Sequence, residues 1–118
     1  MQRIAANKFD WTMPNQVVLA ISTFPDAEVA SRIAQTLVEE KLAACANLIS
    51  AVHSIYRWQE KIETAGEVLV FFKTTEDRRE MFNRKLRSLH PYGVPELLFI
   101  EINGGSSDYL RWVTDNCR

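Results

Sequence analysis

Three segments of this chain are apolar at both alternating sets of positions, a condition that few small folds can satisfy. Val17, Leu19 and Ile21 alternate with Val18, Ala20 and Ser22; Val68, Val70 and Phe72 alternate with Leu69, Phe71 and Lys73; Leu97 and Phe99 alternate with Leu98, Ile100 and Ile102. Successive side chains of a strand point to opposite faces of its sheet. A sheet made from these segments is therefore oily on both sides, whereas a sheet with one wetted face shows polar residues at every second position.

The stretches between them read as helices. Asp26 can cap the first, with Glu28 in its first turn, and Val29, Ile33 and Leu37, beside Ala30, Ala34 and Val38, carry one apolar face to about Leu42. Thr74 or Thr75 can cap the second, whose apolar face is Phe82, Leu86 and Leu89 and which Pro91 ends near His90. Between them the pattern predicts a long hairpin: Ala43 to Trp58, the polar Gln59, Glu60 and Lys61, and a return from Ile62 to Thr74 in which Gly66 marks a bulge or bend. Glu96 to Asn103 reads as a fourth strand, Gly104 and Gly105 as a turn, and Ser107 and Asp108 as the cap of a short last helix. The order is βαββαβ plus a terminal helix, an α+β, ferredoxin-like arrangement. Residues 1–16 read as an irregular lead and 17–118 as a single domain.

Two helices cover one face of such a sheet. A terminal helix of about ten residues, at about 1.5 Å each, is too short to cover the other alone, and a soluble monomer rarely exposes an apolar patch beyond a few hundred Å². A homo-oligomer is expected. The hairpin adds to this, since strands of about 14 residues extend about 45 Å against about 26 Å for a 17-residue helix. Its overhanging tip carries Ile55, Tyr56, Trp58 and Ile62, which either bury against another subunit or sit in water as scattered surface residues do.

Composition narrows the function classes. The formal net charge is −1, from 14 basic and 15 acidic residues with the signs interleaved, so neither nucleic acid nor an anionic membrane is an expected partner. Apolar runs reach about five residues, against the roughly 20 needed for a membrane span. Two cysteines, Cys45 and Cys117, are too few for a disulfide scaffold and suit a reducing, cytoplasmic setting. No nucleophile elbow, Walker loop, zincin helix or dinucleotide glycine pattern occurs, so no enzymatic activity is expected.

The chemistry-bearing residues are few. His90, followed by Pro91 and Tyr92 in a loop, is either a metal ligand or a hydrogen-bonded loop imidazole. Cys45 sits among Ala43, Ala44 and Ala46 and is either a metal thiolate or a small packed hydrophobe. Lys73 falls in line with Leu69 and Phe71 on an apolar face, where a charge needs a partner or a route to water. Glu67, Glu96 and Glu101 are its candidate partners, and Tyr56, Trp58, Tyr92, Tyr109 and Trp112 could wall an intersubunit cleft for a small ligand or ion.

These segments also carry a family pattern. Pro25 and Asp26 open the first helix; Val38 to Ile49 reads VEEKLAACANLI and Ser54 to Ile62 reads SIYRWQEKI; then come Glu67, Lys73 to Thr75, the His90 to Glu96 run HPYGVPE, and Asp108 to Trp112 as DYLRW. In order and spacing this set resembles the CutA divalent-cation tolerance family over about residues 17–113. The resemblance implies a homotrimer whose sheets face one another, with the hairpin reaching a neighbour, and binding of divalent cations, copper in particular. Copper-binding members are similar to this chain with a thiol at the position of Ser22 and a second imidazole at that of Leu89, which leaves His90 as the matching group. A PII-like small-molecule sensor could share the architecture. An RNA-recognition domain could too, but Val68 to Lys73 lacks its glycine-bearing aromatic strand.

Overall fold

The structure, a computed structural model, describes residues 16–118, so the expected irregular lead lies outside the described residues except for Gln16. The elements are β1 (Val17–Phe24), α1 (Ala27–Glu39), β2 (Cys45–Trp58), β3 (Lys61–Thr75), a 3-10 turn (Glu76–Arg78), α2 (Arg79–Leu89), β4 (Leu98–Glu101) and α3 (Ser107–Asp115). The sheet runs β2-β3-β1-β4 with every neighbouring pair antiparallel, the ferredoxin-like topology with an added terminal helix. Strand β1, one of the three apolar on both faces, lies between β3 and β4, where both of its edges are paired.

Helix α1 begins where Asp26, in extended conformation, accepts a 2.8 Å hydrogen bond from the Val29 N–H. It ends three residues before the expected Leu42, because the chain closes a Schellman motif. The Leu42 N–H donates to the Leu37 carbonyl and the Lys41 N–H to the Val38 carbonyl, both at 3.0 Å, with Lys41 at φ 60°. Glycine normally holds that left-handed position. Lys41→Gly is therefore expected to stabilise the fold by about 0.5–1 kcal/mol, read as a shift in denaturant midpoint at constant slope.

One face of the sheet packs on α1 and α2. Ala20, Phe24, Val70 and Phe72 meet Ala30, Ile33, Leu37, Phe82 and Leu86, all buried. Aromatic edges organise the centre, with Phe72 against Phe82 at 5.0 Å and Phe82 against Phe99 at 6.0 Å, interplanar angles 72° and 74°.

The other face is covered only at one end. Val113 and Cys117, at the end of α3 and beyond it, pack with Val17 and Ala44. Farther along, Leu98 is 55% exposed, Ile100 46% and Ile49 42%, beside half-buried Leu19, Ile21, Leu69 and Phe71. As length predicted, the terminal helix leaves most of this face open.

The hairpin is as long as expected, 14 and 15 residues, and helps give the chain a longest dimension of 54 Å. Its turn places Gln59 and Glu60 at φ 51° and 68°, the handedness that lets a two-residue loop follow the twist of its strands. The bulge is not at Gly66, which pairs in register with His53 and has no positive φ. It lies on the opposite strand, between Ile49 and Val52, where Ser50 and Ala51 oppose Val68 alone and Ala51 takes φ 61°.

Candidate functional site

The bulge decides which side chains meet Lys73. Below it, Cys45 stands directly opposite Lys73 and Asn47 opposite Phe71, so Cys45, Asn47 and Lys73 share the open apolar face. The Lys73 ammonium donates to Asn47 Oδ1 and lies 4.0 Å from Cys45 Sγ. Asn47 did not stand out in the sequence, because the register that brings it there depends on the extra residue at Ala51.

The expected counter-charges lie elsewhere. Glu67 is six residues up β3, about 20 Å along the strand, and its Oε2 accepts from the Tyr92 hydroxyl at 2.9 Å. Glu101 pairs with Val18, so it points to the helix side of the sheet. Glu96 is exposed, and its backbone carbonyl accepts a 2.7 Å hydrogen bond from buried Ser22. Ser22 thus ties the segment before β4 to the core.

A second cluster surrounds His90, the residue that caps α2. The ring is 7% exposed and stacks on Phe24 at 4.6 Å. Nε2 lies 2.8 Å from the Thr23 carbonyl, and Nδ1 accepts from the Tyr92 N–H at 3.2 Å. This pairing requires the neutral tautomer with hydrogen on Nε2, and it commits both nitrogens. Leu89 is packed against the main core. Among the described residues no group of three or more His, Cys, Asp or Glu converges on a point that could hold a metal ion.

Of the predicted cleft residues, Tyr92 and Glu67 come together, beside the candidate metal ligand His90. Tyr56 and Trp58 lie on the overhanging hairpin, exposed. Tyr109 and Trp112 stack on α3 at 5.7 Å, and Trp112 shares an open groove with Cys45, Ala46, Leu48 and Val38 at the outer edge of β2. In a single chain these form separate groups rather than one cleft.

The Tyr92 hydroxyl is pushed up to about 12 from 10.0, first by burial, then by its hydrogen bond to Glu67 and the negative charge there. Folding thus favours the protonated phenol. Its contribution is full below pH 10 and is lost as pH rises toward 12. Tyr92→Phe is expected to flatten that part of the alkaline stability profile, measured by denaturant unfolding at stepped pH, with tyrosinate absorbance following the titration. Burial likewise pushes the Cys117 thiol up, against hydrogen bonds with Thr74 and Thr75 and the nearby Arg78, as suits a packed thiol.

Comparison with known proteins finds one family across nearly all the described residues. The family description "CutA1 divalent ion tolerance protein" matches residues 18–116. A relative named divalent-cation tolerance protein CutA from Thermus thermophilus is 41% identical over 83% of this chain and 95% of its own length. A chloroplastic Protein CutA of Arabidopsis thaliana is 36% identical over 91% of this chain, which spans 58% of that longer protein. The crystal structure of CutA from Xylella fastidiosa superposes with a TM-score of 0.85 at 37% identity, over 87% of this chain and 99% of that one. Where these names state a role, it is tolerance to ions rather than a reaction. Among the described residues no helix is long and apolar enough to cross a membrane.

Proposed function

The chain belongs to the CutA1 divalent ion tolerance family, and from that premise we propose that it works in divalent-cation tolerance as a homotrimer whose subunits cover one another's open sheet faces. The observation that carries this is the exposed row of Ile49, Leu98 and Ile100 beside half-buried Leu19, Ile21, Leu69 and Phe71. The sheet's edges support it. β2 and β4 each have one unpaired edge, and an edge of one kind meeting an edge of the other is a head-to-tail contact, which closes into a ring when the rotation allows. The overhanging Ile55, Tyr56, Trp58 and Ile62 then find a neighbour to bury against.

The described residues of one chain do not fit a copper ion. Both nitrogens of His90 are bonded, and the polar groups beside Cys45 are an ammonium and an amide, whereas soft copper sites use converging thiolate and imidazole donors. The reading therefore assigns divalent-cation binding to donors from different subunits. Both cysteines are free, in keeping with a cytoplasmic setting. Titration of copper and zinc into the purified assembly, with His90→Ala alongside, tests the metal part, and light scattering tests the assembly. Binding weaker than micromolar, unchanged by that substitution, would remove metal binding and favour the PII-like sensor. The Lys73–Asn47 pair on the face to be covered is what recommends that second reading.

A further inference from the structure

Lys73 has an unbalanced charge in a place where charge is costly. Across the four strands, the register puts Leu19, Ile21, Thr23, Leu69, Phe71, Cys45, Asn47, Ile49, Leu98 and Ile100 on its face. Lys73 is the cation of that set; Glu67, the next residue of β3 on this face beyond Leu69, lies about 20 Å away and accepts from the Tyr92 hydroxyl. It is already half-buried, and the polar atoms it meets, Asn47 Oδ1 and Cys45 Sγ, belong to an amide and a thiol. Among the described residues no carboxylate lies within ion-pair distance of it.

Resting on the self-association reading, we propose that Lys73 and Asn47 form a binding site for a carboxylate anion on the covered sheet face. Association strips water from this face, and a buried ammonium without a counter-charge is strongly destabilising. An ammonium has three N–H donors, of which Asn47 takes one and Cys45 offers at best a weak acceptor for another. The Asn47 oxygen faces Lys73, which leaves its NH₂ group as a second donor beside the ammonium. One cation and one amide donor side by side match the two oxygens of a carboxylate. A phosphate dianion would leave excess negative charge against a single lysine, so a monoanionic group fits better. The carboxylate belongs either to a small molecule or to a second copy of the chain.

The test compares wild type, Lys73→Gln, Lys73→Arg and Asn47→Leu by thermal unfolding and light scattering, in sodium acetate, sodium succinate and sodium chloride at matched ionic strength. If the anion is a free molecule, the carboxylate salts raise the wild-type Tm by several degrees over chloride, and Lys73→Gln and Asn47→Leu lose that rise while staying assembled. If it comes from a second copy, the salts act alike, Lys73→Gln dissociates at a concentration at least tenfold higher than wild type, and Lys73→Arg restores most of the loss. Asn47→Leu keeps the test informative should Lys73→Gln misfold. Salts that act alike on the wild type, together with a Lys73→Gln that assembles as tightly, would overturn the proposal. A wild type that stays a single chain yet responds to acetate through Lys73 would instead refute self-association and leave the site standing.

Discussion

Leu98→Glu combined with Ile100→Glu is expected to convert the proposed homotrimer into a folded single chain at micromolar concentration. Leu98 stands opposite Ile21, and Ile100 opposite Leu19. Both are about half exposed in the isolated chain, so carboxylates there can reach water and the α1–α2 side of the sheet is untouched. On a covered face each would be an unpaired buried charge, costing about 3 kcal/mol or more, which is roughly 100-fold in affinity. The two together cost about 6 kcal/mol, on the order of 10⁴-fold. Light scattering over a dilution series checks mass, and circular dichroism checks that the strands survive. A double variant that keeps the wild-type mass would show that this face is not where copies meet.

The largest loss of intrinsic stability is expected from Phe72→Ala. The ring is fully buried, opposite Ala20 on β1 and Ala46 on β2, with one edge contact to Phe24 within the sheet and another to Phe82 that joins the sheet to α2. Small neighbours on both flanking strands cannot swing in to fill the space. The site should therefore lie in the usual range for a poorly collapsing core position, about 3–5 kcal/mol. Subunit association would hide part of this loss by mass action, so the measurement belongs in the Leu98→Glu, Ile100→Glu background. Denaturant unfolding that shows a loss below about 1 kcal/mol would mean that the core repacks around the cavity.

Much of this architecture is legible in the sequence, for reasons that can be located. Asp26 before Glu28 and a four-residue apolar repeat specifies where α1 starts, because the cap and the stripe are both local. Strands β1, β3 and β4 are recognisable by their lack of alternation, and the same feature predicts a second oily face. Boundaries were less readable. The end of α1 depends on a Schellman closure in which a lysine occupies the left-handed position, and no residue-type signal marks a lysine for that role.

The site shows the same division more sharply. Chain order, the two-sided oiliness of the strands and the odd placement of Lys73 follow from the sequence by itself, since each rests on periodicities of two or about four residues. The partner of Lys73 does not. Counted back from the turn without a bulge, Lys73 would face Ala46, and Asn47 would point to the other side of the sheet. The extra residue at Ala51 shifts the register by one and turns Cys45 and Asn47 onto the face of Lys73. His90 is similar: sequence places an imidazole after a helix, but only folding brings the Thr23 carbonyl and the Tyr92 N–H to its two nitrogens. Local patterns carry local geometry, whereas contacts between distant strands depend on a register that a single backbone irregularity can change.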